Sequence, residues 1–172
     1  CDAGTEEGVA ALFAVCHVAR PFPLAAGPAG GIRYWAGDSA ANPPRRAPIE
    51  DVPQWLVVCG SRHPIARAQG KHARQLGFTV LTTPDEESRD AEAELAALAG
   101  RATTLARGGM VIFGGDTALA VWRAMGVARL VPLGELMPGV AVSRADGCTF
   151  VTVAGGFPAP GLLEELLAAE EQ

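Results

Sequence analysis

Charge and aromaticity are both scarce in this sequence. Asp, Glu, Lys and Arg make up 19% of the 172 residues, aromatic residues make up 6%, and tyrosine occurs once. With a formal net charge of −5, the chain lacks the broad basic face that nucleic-acid binding requires. Cysteine appears at Cys1, Cys16, Cys59 and Cys148. No two of these have the C-x-x-C or metal-ligand spacing, which leaves buried free thiols in a reducing cytosol as the expectation. No apolar run approaches the roughly 20 residues of a membrane span. No basic segment leading into an apolar one opens the chain, so neither an anchor nor a secretory leader is expected, and a cytoplasmic location is. The abrupt start at Cys1 is what a piece of a longer protein would show. The G-x-x-x-x-G-K-[ST] and G-x-G-x-x-G fingerprints are missing, as are a G-x-S-x-G elbow and a Ser-His-Asp order. A P-loop, a dinucleotide fingerprint and hydrolase chemistry therefore have no support.

What is abundant is apolar and turn-forming. Hydrophobic residues reach 49%, enough for a real core, and 21 glycines and 13 prolines are scattered between apolar runs without a repeat. Residues 5–19 carry helical apolar spacing after an acidic first turn. PLAAGPAGG reads as a short strand entering a Gly-rich turn, with a brief helix through Tyr34 and Trp35. Residues 38–53 contain four prolines and little that packs, as in an extended linker. From Gln54 onward, apolar strands alternate with amphipathic helices: WLVVCG, then ARAQGKHARQLG, then FTVLTT. Thr83, Pro84 and Glu86 have the spacing of a capping box for a helix reaching about Arg107. MVIFGG, DTALAVWRAMG, ARLVPLGE, AVSRADG, CTFVTVAGG and PGLLEELLAAEEQ complete the series as strand, helix, three strands and helix. Such alternation predicts an α/β fold, a mostly parallel sheet with helices on both faces in a Rossmann-like three-layer sandwich. Ligands of such sheets bind beyond the carboxyl ends of the strands.

Three Gly-containing turns fall at such ends: Gly60-Ser61-Arg62-His63-Pro64, Gly114-Gly115-Asp116-Thr117 and Gly155-Gly156-Phe157-Pro158. Glycine admits close approach of a ligand, and a following helix N-terminus offers free N–H groups to a phosphate. Packing alone also places glycine at such junctions. Other residues have plainer readings. Arg67, Lys71 and Arg74 form a stripe expected to face solvent. His17 and His72 have no second metal ligand nearby in sequence. Trp122 either stacks on a base or packs on the sheet, and packing is the expectation. Glu135 follows a strand, which would allow a carboxylate near the site, but a turn-stabilising role for Gly134-Glu135 and Pro138-Gly139 is the expectation.

The ordered series VVCGSRHPIARAQ, GGMVIFGGDTALAVWRAMG, GELMPGVAVSRADG and VTVAGGFP resembles the C-terminal nucleotide-binding domain of the four-carbon acid sugar kinase family. That family's pattern runs G-S-x-S-x-x-T-x-x-Q, G-G-[DE]-T, G-E-x-x-P-G-V and K-[SA]-G-[GN]-F-G. CDAGTEEGV and AAGPAGGI look like the end of the family's N-terminal domain. The resemblance implies residues 1–37 as the tail of a substrate-binding domain, 38–53 as the Pro-rich linker and 54–172 as the nucleotide-binding domain. It implies an ATP- and Mg²⁺-dependent kinase acting on threonate, erythronate or a 3-oxo-tetronate. Ser61, Gly114, Gly115, Asp116, Thr117, Gly155 and Gly156 are the implied nucleotide contacts, with N–H groups of Gly114 and Gly115 on phosphate oxygens and Thr117 donating to another. Asp116 is either a Mg²⁺ ligand, direct or through water, or a helix N-cap. The chain departs from the pattern at His63 and Ala66, which replace Ser and Thr, and at Val153 and Pro158, which replace Lys and Gly. It also lacks the family's D-D-x-T-G segment, so no catalytic residue is assigned and this chain alone is expected to be inactive. Alternative readings are a degenerate, non-catalytic nucleotide- or anion-binding module and a ligand-free subunit-contact domain. The implied partners are a small sugar acid, met through the absent domain, and further copies of the chain in a homo-oligomer; neither nucleic acid nor membrane is expected.

Overall fold

A computed structural model describes residues 5–19, 47, 49, 52–85, 89–157 and 159–170. The expected strand and helix between 21 and 37, Glu86 and Pro158 lie outside the described residues. The chain divides into two units, Cys1–Pro43 and Pro44–Gln172. In the first, α1 spans Glu6–Ala19, and the Thr5 hydroxyl accepts from the Gly8 N–H at 3.1 Å, as an N-cap does.

The second unit is built on a sheet of six strands among the described residues. These are β1 (Gln54–Cys59), β2 (Thr79–Thr82), β3 (Gly108–Phe113), β4 (Val131–Met137), β5 (Val140–Ala145) and β6 (Cys148–Val153), in the order β2-β1-β3-β6-β5-β4. The pairs β1–β2, β1–β3 and β3–β6 are parallel, whereas β5 runs against both β6 and β4. The sheet is thus mostly parallel, with β5 reversed because two tight turns, Pro138-Gly139 and Asp146-Gly147, leave no room for a crossover. Gly139 and Gly147 take φ of 80° and 76° there, conformations that favour glycine.

Helices cover both faces. Here α2 is Pro64–Gln75, α3 is Ala91–Leu105, α4 is Gly115–Ala124 and α5 is Leu162–Glu170. Alternate strand residues point to opposite faces. Val57, Val111 and Val151 join Ala66 and Ala73 of α2 with Leu162, Leu163 and Leu166 of α5. Leu56, Val58, Met110, Ile112 and Phe150 join Leu98 and Ala102 of α3 with Ala118 and Val121 of α4. These two cores make the three-layer sandwich. Trp122 meets Phe150 edge-on at 6.2 Å, so it packs on the sheet. Cys59 and Cys148 are buried free thiols, and burial pushes the Cys148 thiol up to about 11.

Three local expectations change. The third helix starts at Ala91 and not after Thr83, and the Asp90 carboxylate caps it by accepting from the Ala93 N–H at 2.9 Å. The Pro-rich stretch is not all linker: Ala47 and Val52 are buried, and the Ala47 N–H donates to the Glu135 carbonyl at 2.9 Å. Gly134 and Glu135 lie inside β4, where the register shifts between Pro132 and Gly134, rather than in a turn after a strand. Among the described residues no helix is long and apolar enough to cross a membrane.

Candidate functional site

Because β1, β3 and β6 are adjacent and parallel, their carboxyl ends open on one edge of the sheet. The turns after them converge there. A Cβ added at Gly155 would stand 2.5 Å from the Ser61 Oγ and 3.8 Å from the Gly114 Cα. One added at Gly60 would stand 2.4 Å from the Thr117 Oγ1. Gly114, at φ 108°, needs glycine for its conformation, and its own Cβ position is 3.3 Å from the Ser61 Cβ. Close packing of the turns therefore explains Gly60, Gly114 and Gly155. Gly115 is different: no described atom lies within 4 Å of its Cβ position, and the residue is exposed.

The helix after β3 supplies the donors. The first bond of α4 runs from the Ala118 N–H to the Gly114 carbonyl at 3.0 Å, and no side chain caps the helix. Among the described residues, nothing accepts from the N–H groups of Gly115, Asp116 and Thr117. These orphan donors carry the positive end of the helix dipole. The Gly114 N–H is not among them, because it donates to the Val153 carbonyl at 2.9 Å and ties the second turn to the third. Of the expected Gly114 and Gly115 donor pair, the Gly114 N–H is therefore already used, while the N–H groups of Gly115, Asp116 and Thr117 have no acceptor among the described residues. The Thr117 hydroxyl faces Gly60 and Gly114 from a residue 2% exposed, so its side chain packs the turns together.

Asp116 is exposed and lies in the first turn of α4, one residue past Gly115. The N-cap is Gly114, which removes the N-cap reading of Asp116. Among the described residues, no group of three or more His, Cys, Asp or Glu side chains gathers as a metal cage would.

Ser61 accepts from the His63 N–H at 3.2 Å, which holds its oxygen beside Gly155. His63 caps α2, its Nδ1 accepting from the Ile65 N–H at 3.3 Å, and its Nε2 stands 3.4 Å from the Cβ position of Gly156. All seven expected contacts, Ser61, Gly114, Gly115, Asp116, Thr117, Gly155 and Gly156, belong to this edge.

Sequence reasoning missed the brace beneath the first turn. Arg67 donates to the Thr83 carbonyl at 2.8 Å, the Thr83 hydroxyl at 2.9 Å and the Pro84 carbonyl at 3.1 Å. The Thr83 hydroxyl in turn donates to the Gly60 carbonyl at 3.2 Å. Arg67 is therefore a structural clamp and not part of a solvated stripe. Arg74 donates to the Thr82 hydroxyl at 3.0 Å. Only the pairing of β1 with β2 brings residues 60 and 83 together, so no local signal announces the brace. Arg62 likewise reaches across to Glu94 at 2.7 Å. His72 binds Glu164 at 2.6 Å, a partner 92 residues away, and that hydrogen bond raises the imidazole pKa. A small cavity lined by Gln54, Trp55, Leu56, Thr79, Leu105 and Arg107 includes the first residues of β1 and β2, at the edge opposite the convergent turns.

Residues 80–161 match the family model described as a nucleotide-binding C-terminal domain. The chain is 26% identical to a domain of unknown function (DUF1537) from Bordetella bronchiseptica, solved as a domain-swapped dimer with bound citrate, at a TM-score of 0.56. That match covers 99% of this chain and 51% of the other. A Haemophilus influenzae protein of the DUF1537 family model shares the fold at 15% identity and a TM-score of 0.57, over 98% of this chain and 52% of that one. A Salmonella typhimurium structure described as a putative tRNA synthase shares the fold at 18% identity and a TM-score of 0.53, over 99% and 52% of the two chains. The chain spans about half the length of these structures. No curated protein matches it significantly.

Proposed function

We propose, from the premise that this chain carries the nucleotide-binding C-terminal domain of the four-carbon acid sugar kinase family, that it holds ATP for phosphoryl transfer to a four-carbon sugar acid. The observation that carries this reading is the convergence of three glycine turns on the unpaired N–H groups of Gly115, Asp116 and Thr117. Phosphoryl transfer asks a protein mainly to position the reactants and neutralise charge. A helix N-terminus does both for a phosphate. Gly115 leaves open the space through which a phosphate approaches those donors. The Ser61 hydroxyl, held as an acceptor by the His63 N–H, keeps its own proton for a ligand oxygen.

Mg²⁺ is commonly held by one or two carboxylates together with substrate phosphates. Asp116, exposed beside the N–H donors, fits that demand as one carboxylate from this chain. When bound, the ion would neutralise charge on the phosphates; Asp116 would hold it, directly or through water. Groups that recognise the sugar acid are assigned to a region outside these 172 residues, since the matched structures are about twice as long. Citrate on the Bordetella relative, a hydroxylated polycarboxylate, suits an acidic substrate class, and its dimeric form supports a homo-oligomer here.

A second reading, a binding module without catalysis, is favoured by Ala66 and Val153. Both are buried, at 0% and 2% exposure, so neither position offers the donor that the family pattern places there. Titration calorimetry with ATP and ADP, with and without Mg²⁺, separates these readings from a domain that binds nothing. Saturable binding by the native chain, lost in Gly115→Val, is the expected result. The valine Cβ enters open space, so the variant should melt as the native chain does. Undiminished ATP binding by Gly115→Val would remove the nucleotide from this turn. Phosphoryl transfer by the longer protein then decides between kinase and module.

A further inference from the structure

We infer that His63 supplies a hydrogen bond to the phosphate chain of the nucleotide through its Nε2–H, in place of the donors that this sequence lacks at positions 66 and 153. The inference rests on the nucleotide reading above and adds to it a residue type that departs from the family pattern. His63 stands where the family pattern has serine, and serine or histidine can each cap a helix. They differ in what remains afterwards. A serine that caps α2 has spent its one short side chain near the backbone. The imidazole caps with Nδ1 alone, accepting from the Ile65 N–H at 3.3 Å. A neutral imidazole with an accepting Nδ1 must carry its proton on Nε2. The cap therefore fixes the tautomer and leaves a donor at the far end of the ring.

That donor is aimed at the site. Nε2 lies 3.4 Å, and Cε1 and Cδ2 3.7 Å, from the Cβ position of Gly156, so the ring edge stands over the third turn. The His63 backbone N–H is anchored on the Ser61 Oγ at 3.2 Å, and Ser61 touches Gly155 and Gly114. The ring is thus tied at its backbone and at Nδ1. Among the described residues no hydrogen bond uses Nε2, and His63 is exposed. Ala66 and Val153 are buried and apolar, so neither supplies the hydroxyl or ammonium that the family pattern has at its position. His63 returns an N–H donor to the same stretch, between the first turn and the third.

The test is His63→Asn in the whole chain. Asparagine keeps an acceptor for the Ile65 N–H but is too short to carry a donor to the third turn. Titration with ADP, ATP and adenosine is run on the native chain and the variant, with thermal melts of both. The expected result is an unchanged melting temperature and about tenfold weaker ADP and ATP binding, the size of one donor to a charged group. Adenosine binding stays as in the native chain. In ¹⁵N-labelled protein, ADP should shift the Nε2 resonance of His63 while Nδ1 keeps its acceptor signature. Equal ADP affinity in His63→Asn, or an Nε2 resonance indifferent to ADP, overturns the inference and leaves His63 as a helix cap. A native chain that takes up neither ATP nor ADP overturns the nucleotide reading itself, a failure visible before any variant is made.

Discussion

Gly155 stands closer to Ser61 than any side chain allows. A methyl group there would meet the Ser61 Oγ at 2.5 Å and its Cβ at 3.0 Å, so the first or the third turn must move. Gly155→Ala is expected to cost about 1–3 kcal/mol in urea unfolding, the usual penalty of overpacking, and to abolish ADP binding with it. Gly115→Val, with no neighbour to strike, should abolish binding at no such cost. Equal stability of the two variants would contradict this division between packing and ligand glycines. The sequence marks both kinds of glycine identically, as small residues at strand ends. What separates them is distance across β1, β3 and β6, which no local pattern encodes. The same limit hid the Gly114 N–H: its acceptor, the Val153 carbonyl, is 39 residues away along the chain. The Asp116 N-cap reading failed for a nearer reason, since Gly114 takes the capping position two residues earlier.

At the scale of elements, α5 is clasped to α2 by His72 and Glu164 as well as by apolar packing. The hydrogen bond to Glu164 raises the His72 pKa, and the same bond lowers that of Glu164. The raised imidazole adds stability that is whole below the ordinary value of 6.5 and fades as pH climbs through the raised one. The lowered carboxylate adds stability above its ordinary 4.5 that fades on acidification. The clasp is therefore strongest between those two ordinary values. Both groups are solvent-exposed, so the effect is small. Melts of the native chain and Glu164→Gln should differ most near pH 5.5 and converge near pH 8.5; a gap independent of pH would refute the ionic clasp. The strands and helices themselves were legible from Gln54 onward because buried parallel strands read as unbroken apolar runs. The start of α3 was misplaced because Thr83 is occupied elsewhere, bracing Gly60 and Arg67, while Asp90 caps the helix.

At the scale of the molecule, the unit Pro44–Gln172 includes residues that its sequence alone assigned to a linker. Val52 lies against Gly109, whose Cβ position is 2.4 Å from the Val52 Cγ1, and Ala47 is 3% exposed. A chain begun at Pro44 should unfold with the stability of the intact unit, whereas one begun at Gln54 should lose about 2–4 kcal/mol, the worth of the buried side chains removed. Matching urea midpoints for the two would show that the stretch contributes nothing. The sequence alone did not reveal this burial because four prolines surround two small apolar residues with no periodicity to mark them. Their placement has a further consequence at the margins of the sheet. The β4 margin is broken by two register shifts, and its Glu135 carbonyl is already taken by Ala47; the opposite margin, β2, is four residues long with Arg74 on its last hydroxyl. Among the described residues, neither margin presents the long, flat row of vacant amides on which a stray strand adds itself, so this sheet is poorly suited to seeding fibrils, however apolar its interior.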